Sequence, residues 1–173
     1  MSIVLRESGS GMRLNHKTIF ALTDTETVKL DFDDTHIEFV YYWACRAMNW
    51  HKLGGFIILE SSRGCYHVLF DRKVDWSKNM MVVAWVAQLS GNVGLQRWHR
   101  MQCIKGKSTL RVSCKGGKAP PKIVMRKGRQ SNQIKEFLTL REELEDVTSP
   151  RYCLKNLINL NAWEGNHNLD KIL

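Results

Sequence analysis

The chain has 173 residues, 43% of them hydrophobic, which suits one domain with an ordinary buried core. No apolar run approaches the roughly 18 residues of a membrane span, and residues 1–11 lack the basic start and apolar centre of a signal peptide, so a soluble protein in the cytoplasm is expected. The net charge of +9 favours polyanionic partners. Five scattered cysteines, Cys45, Cys65, Cys103, Cys114 and Cys153, form no C-x-x-C pair, so neither a disulfide framework nor a structural zinc knot is indicated.

In chain order, Ile3-Val4-Leu5 and residues 18–22 read as strands or short helical pieces around the turn Ser8-Gly9-Ser10-Gly11. Val28 to Phe32 alternates as a strand. Thr35-x-x-Glu38 matches a capping box, followed by Ile37, Val40, Tyr41, Ala44 and Met48 at helical spacing. Gly54-Gly55 ends that helix. Residues 56–60 and 65–70 then form a hairpin across Ser61-Ser62-Arg63-Gly64.

Residues 76–89 predict a second amphipathic helix, ended by Ser90-Gly91-Asn92 and followed by a basic, β-rich section. There residues 108–115 alternate, with Leu110, Val112 and Cys114 on one face and Thr109, Arg111, Ser113 and Lys115 on the other. A turn at residues 116–121, a strand at 122–126 and an acidic helix at 134–147 complete the pattern, with a C-terminal helical extension over 134–173. The order implies an α+β fold, an antiparallel or mixed sheet with helices packed against it.

Three groupings carry chemistry. Asp31 and Asp33, two apart at the end of a strand, would point the same way and grip one hard divalent cation, Mg²⁺ or Mn²⁺. Asp33 and Asp34 also have a simpler role open to them, capping the following helix. Ser61-Ser62-Arg63-Gly64 leads into a strand bearing His67, whose plainer reading is a hydrogen-bonded core histidine. Arg111, Lys115 and Lys118 could hold phosphates by fork and point charge, or form a solubilising face. Residues 97–129 contain eleven cations and no acid, and Arg97, Arg100, Lys105, Lys107, Lys122 and Arg126 suggest a nucleic-acid surface, with Trp98 as a base-stacking candidate.

Asp31-Phe32-Asp33, the polar turn before His67, and the Arg111 strand, in that order, resemble the motifs of the archaeo-eukaryotic primase superfamily. The resemblance covers residues 25–118. It implies an RRM-like palm that transfers nucleotides with Mg²⁺ or Mn²⁺ bound by Asp31 and Asp33. It further implies nucleoside triphosphate held by Ser61, Ser62, Arg63, His67, Arg111, Lys115 and Lys118, and a single-stranded nucleic acid template. Other replication proteins, such as a helicase, would be partners, and the size suits a plasmid or virus replication protein. The family's third motif, an acid just before the arginine strand, is missing: residues 90–111 contain none, and Trp98-His99-Arg100-Met101-Gln102 stands in its place. His99, Gln102, Asp34 or Asp71 would have to substitute. The alternative is a catalytically impaired palm that binds nucleic acid or nucleotide as a replication accessory protein. A rolling-circle-type nuclease would need a His-x-His pair beside a tyrosine such as Tyr41 or Tyr42, and the six histidines include no such pair.

Overall fold

Three consecutive strands rich in buried apolar side chains set the architecture. The computed structural model describes residues 2–6, 19–113 and 119–143. In it β4 (Gly55–Ser62) and β5 (Cys65–Lys73) form the centre of a four-stranded antiparallel sheet, with β3 (Thr27–Phe32) at one edge. The sheet's order is β3-β5-β4-β7, with β7 (Lys122–Gly128) at the other edge. A second antiparallel sheet, β1-β2-β6, joins β1 (Ser2–Arg6), β2 (Ile19–Asp24) and β6 (Ser108–Arg111). The fold is therefore α+β, with antiparallel sheets and four helices in the described residues.

One face of the larger sheet buries Val28, Leu30, Phe32, Phe56, Ile58, Tyr66, Val68 and Phe70. Helix α1 (Ile37–His51) covers it with Val40, Trp43, Ala44 and Ala47, and α2 (Trp76–Ser90) with Met80, Val82, Val83, Val86 and Ala87. Each large side chain removed from water there contributes about 1.5–3 kcal/mol. The opposite face places Ile57, Leu59 and Leu69 against Leu22, Val112 and two residues, Ile134 and Phe137, of α4 (Gln133–Glu143). Since β4 is covered on both sides, Phe56 to Leu59 is an unbroken apolar run.

The succession β3, α1, β4, β5, α2 with strand order β3-β5-β4 is that of the first part of a split βαβ fold. Where that plan would add its last strand beside β3, β6 does approach: the fully buried Lys29 of β3 donates from Nζ to Ser108 O at 3.2 Å and to Ser108 Oγ at 3.1 Å. Yet β6 takes its ladder from β2, in the register Leu22 to Leu110. Lys29 also meets Asp24 Oδ2 at 2.6 Å, so a buried ion pair pins the two sheets together.

Three local expectations need correction. Residues 93–105 form helix α3 (Val93–Lys105) rather than β structure, because Asn92 caps its start by accepting from Leu95 N at 2.8 Å and Gly106 ends it in the left-handed region. The Thr35 capping box does not form. His36 is the N-cap of α1 and makes no side-chain bond, while Thr35 N donates to Gly64 O at 3.0 Å and fastens the hairpin turn to this corner. Finally, β6 stops at Arg111, four residues before the expected end. Residues 1, 7–18, 114–118 and 144–173 lie outside the described residues, including Cys114, Lys115, Lys118 and most of the proposed C-terminal extension.

Candidate functional site

Antiparallel pairing brings Asp31 of β3 opposite His67 of β5, on the sheet face shared with Ile57 and Leu59. Their side chains meet, His67 Nε2 lying 3.3 Å from Asp31 Oδ1. The His67 side chain is 7% exposed and that of Asp31 25%. Burial, assisted by the nearby Arg111 charge, pushes the His67 pKa down to about 3. The imidazole is thus neutral near pH 7, and it can face a carboxylate only as a donor, with its proton on Nε2.

Arg111 closes the cluster from the second sheet. Its Nη2 donates to Ser61 O at 3.0 Å, and its Nη1 donates to Ala119 O at 3.0 Å and to Ser113 O. Burial lowers its pKa while Asp31 raises it. A guanidinium remains charged throughout the accessible pH range. Three backbone carbonyls therefore fix this cation near Asp31, with the end of β4, residue 113 and residue 119 converging on it.

The two aspartates do not occupy equivalent positions. Asp33 lies one residue past β3, and Asp34 at φ 51° turns the chain away from the strand direction. Asp33 is exposed and packs at the start of α3, its carbonyl accepting from Asn92 Nδ2 at 3.0 Å. A methyl group on Gly94 would come within 2.9 Å of Asp33 Cβ and 3.2 Å of its Oδ2, so glycine there admits the carboxylate to the helix N-terminus. Asp33 thus has a helix-terminal contact of the kind open to it from sequence, at α3 instead of α1.

Around this centre, Ser61 and Ser62 are half-buried at the end of β4, with Ser61 Oγ donating to Cys65 O at 3.3 Å. Arg63 is exposed at the hairpin tip beside Gly64, whose φ is +74°. The basic residues divide between two places. Arg97 and Arg100 are exposed on α3, with Lys105 half-buried at its end and Lys107 exposed just beyond. Lys122 and Arg126 are exposed on edge strand β7, where Arg126 donates to Gln130 Oε1 at 3.2 Å. Trp98 packs against the main core, which leaves only part of its ring for contact with a base.

Among candidates for the absent third acid, Asp71 is already committed. It is fully buried and accepts from Ser131 N, Asn132 N and Ile134 N at 2.9–3.2 Å, capping α4 from a neighbouring strand. Gln102 is buried on α3 with its amide donating to Trp98 O, and His99 on the same helix has Nε2 3.4 Å from Cys103 Sγ. Among the described residues, no group of three or more His, Cys, Asp or Glu side chains is arranged to hold a metal. Carboxylate oxygens are nonetheless the donors that Mg²⁺ and Mn²⁺ prefer, so Asp31 and the exposed Asp33 suit such an ion in kind.

Sequence reasoning did not find the Asp71 cap, the anchoring of Arg111 by Ser61 O, or an aromatic stripe on α1. The stripe had a signal, since Tyr42, Arg46 and Trp50 recur every four residues, off the Val40, Ala44 and Ala47 face. A cavity of about 400 Å³ lies elsewhere, lined by Lys52, Gly54, Asp71, Arg72, Arg129 and Asn132. No helix among the described residues is long and apolar enough to cross a membrane. No family model, curated protein or solved structure matches the chain.

Proposed function

We propose that the chain is a primase-polymerase-like palm that binds nucleoside triphosphate and single-stranded nucleic acid and transfers nucleotides with a divalent metal. The observation carrying this reading is the Asp31–His67 pair beside Arg111, three residues distant in sequence that converge on one sheet face. Asp31 and Asp33 would hold Mg²⁺ or Mn²⁺, which when bound neutralises triphosphate charge and orients the attacking hydroxyl. The protein's own groups then have distinct tasks. His67 holds Asp31 through a neutral N–H, Arg111 supplies a fixed positive field, and exposed Arg63 contacts phosphate from the hairpin tip.

A second reading, a nucleotide- or nucleic-acid-binding accessory palm without catalysis, draws on a specific observation. Asp33 contacts the start of α3 and the Arg111 fork is spent on carbonyls, so both have structural work. Both readings predict salt-dependent binding to polyanions. The test is template-directed incorporation of labelled nucleotides with Mn²⁺ or Mg²⁺, compared with Asp31→Ala plus Asp33→Ala. Wild-type incorporation lost in the double variant supports transfer. No incorporation with either metal, combined with metal-independent binding of a labelled oligonucleotide, selects the accessory reading.

A further inference from the structure

On the side of the larger sheet away from Asp31 and His67, α1 and α2 carry an aromatic surface outside the site described above. Trp50 is 72% exposed and Tyr42 53% exposed. Trp50 stacks nearly parallel on Trp85, with ring centroids 6.2 Å apart and planes at 14°. Its high exposure leaves ring surface in water. Arg46 lies between Tyr42 and Trp50 along the helix, its guanidinium 5.3–5.9 Å from the ring centroids of Tyr42, Trp43 and Trp85. Nη1 donates to Tyr42 Oη at 3.0 Å. These contacts stiffen the side chains, so less rotamer freedom is lost when a ligand settles on them.

Successive members of the stripe Tyr42, Arg46, Trp50 are staggered by about 6 Å along the helix axis. The repeat alternates ring, cation and ring. Lys52 is exposed just past the end of α1, and α2 adds Lys78 near His51 and no acid anywhere along its length. Glu38 is the acid on this side of α1 and lies at the far end, close enough to Tyr66 to influence it. A second copy meeting this surface across a two-fold axis would set these cations against their own kind, within a chain of net charge +9. A polyanion gains from the same charges. Its flat bases would extend the Trp50–Trp85 stack without sequence preference.

We propose that the Tyr42–Arg46–Trp50 stripe, backed by Trp85, is a base-stacking platform for single-stranded nucleic acid on the face opposite the Asp31–His67 cluster. The inference rests on the reading that this protein handles single strands, and adds a second place where it does so. A strand held there would be fixed to the helical side of the palm while its continuation reaches the other face.

The test uses the full chain, fluorescein-labelled oligothymidylate, and a labelled abasic strand of equal length. By anisotropy, wild type is expected to bind oligothymidylate more tightly than the abasic strand. Trp50→Ala should weaken oligothymidylate binding by about 5-fold or more while leaving the abasic strand unaffected. Tyr42→Ala, at a second exposed position, should act in the same direction. Binding of Mn²⁺-nucleotide near Asp31 should be unchanged in both variants. Equal binding of the two strands, or no effect of either substitution, overturns the platform. So does a Trp50→Ala effect on sedimentation alone, which would mark a protein interface. If wild type binds no oligothymidylate at all, the single-strand reading falls with it. Absence of Mn²⁺-nucleotide binding in the wild type, with oligothymidylate binding intact and sensitive to Trp50→Ala, removes the catalytic proposal and supports the platform.

Discussion

His67 makes folding stability depend on pH with a predictable sign. Its pKa falls from the ordinary 6.5 to about 3 on folding, because burial and Arg111 both oppose the imidazolium. The unfolded chain therefore binds more protons than the folded one between those values, so stability is lost as pH falls through 6.5 towards 3. A single group with these limits lowers the free energy of unfolding by about 2.5 kcal/mol between about pH 7 and pH 4.5. The perturbation is His67→Gln, which keeps a donor for Asp31 and cannot titrate. Urea unfolding of both proteins across this pH range is the assay. His51 and His99, whose pKa values burial also lowers, add the same trend to each protein and cancel in the difference. The gap in stability between wild type and variant should shift by about 2.5 kcal/mol towards the variant at the acid end. Parallel curves would show that His67 titrates normally in the folded protein, and would remove the claim that it meets Asp31 as a neutral donor.

The other expectations concern groups with clear structural work. Asp71→Ala should cost about 2 kcal/mol or more and speed amide exchange at Ser131, Asn132 and Ile134, whose N–H groups it accepts; unchanged exchange would refute the cap. Asp24→Asn should cost about 3–5 kcal/mol in chemical denaturation, since it leaves the fully buried Lys29 ammonium without its counter-charge. Gly94→Ala should displace Asp33 and cost about 1–2 kcal/mol, the overpacking penalty being partly offset by better helix propensity. Calorimetry with Mn²⁺ should show weaker binding in that variant if Asp33 is a ligand, and unchanged binding if Asp31 acts without it.

The sheet was legible wherever one physical rule governed. Alternation fixed β3, the hairpin signals fixed β4 and β5, and helical spacing fixed α1 and α2. The failures arose where a cap or a long-range partner decided the outcome. Residues 93–105 carry few apolar side chains at core spacing, and only Leu95 and Gln102 are buried in α3, so its helix is set by Asn92 and Gly106 at its ends instead of a strong periodic face. The parity rule placed Asp31 and Asp33 on one face of a strand. It held for Asp31, but the strand ends at Phe32 and Asp34 turns the chain, so parity no longer governs Asp33. Asp71 stood among the substitutes for the missing acid because its three partners lie about sixty residues onward, a distance at which no local pattern speaks.

The arrangement around Asp31 resolves a conflict between two demands on one carboxylate. A protonated His67 would bind Asp31 as an ion pair and compete with any divalent cation for its charge. Burial keeps the imidazole neutral, so His67 can orient one oxygen of the Asp31 carboxylate, a quarter exposed, with a single N–H. Arg111 is near enough to act on Asp31 in place of an imidazolium, but its fork is turned to the carbonyls of Ser61, Ser113 and Ala119. It acts on Asp31 through its field. That division sets an oriented carboxylate beside a fixed cation, the pairing that the proposed transfer reaction would require of its metal- and phosphate-binding groups.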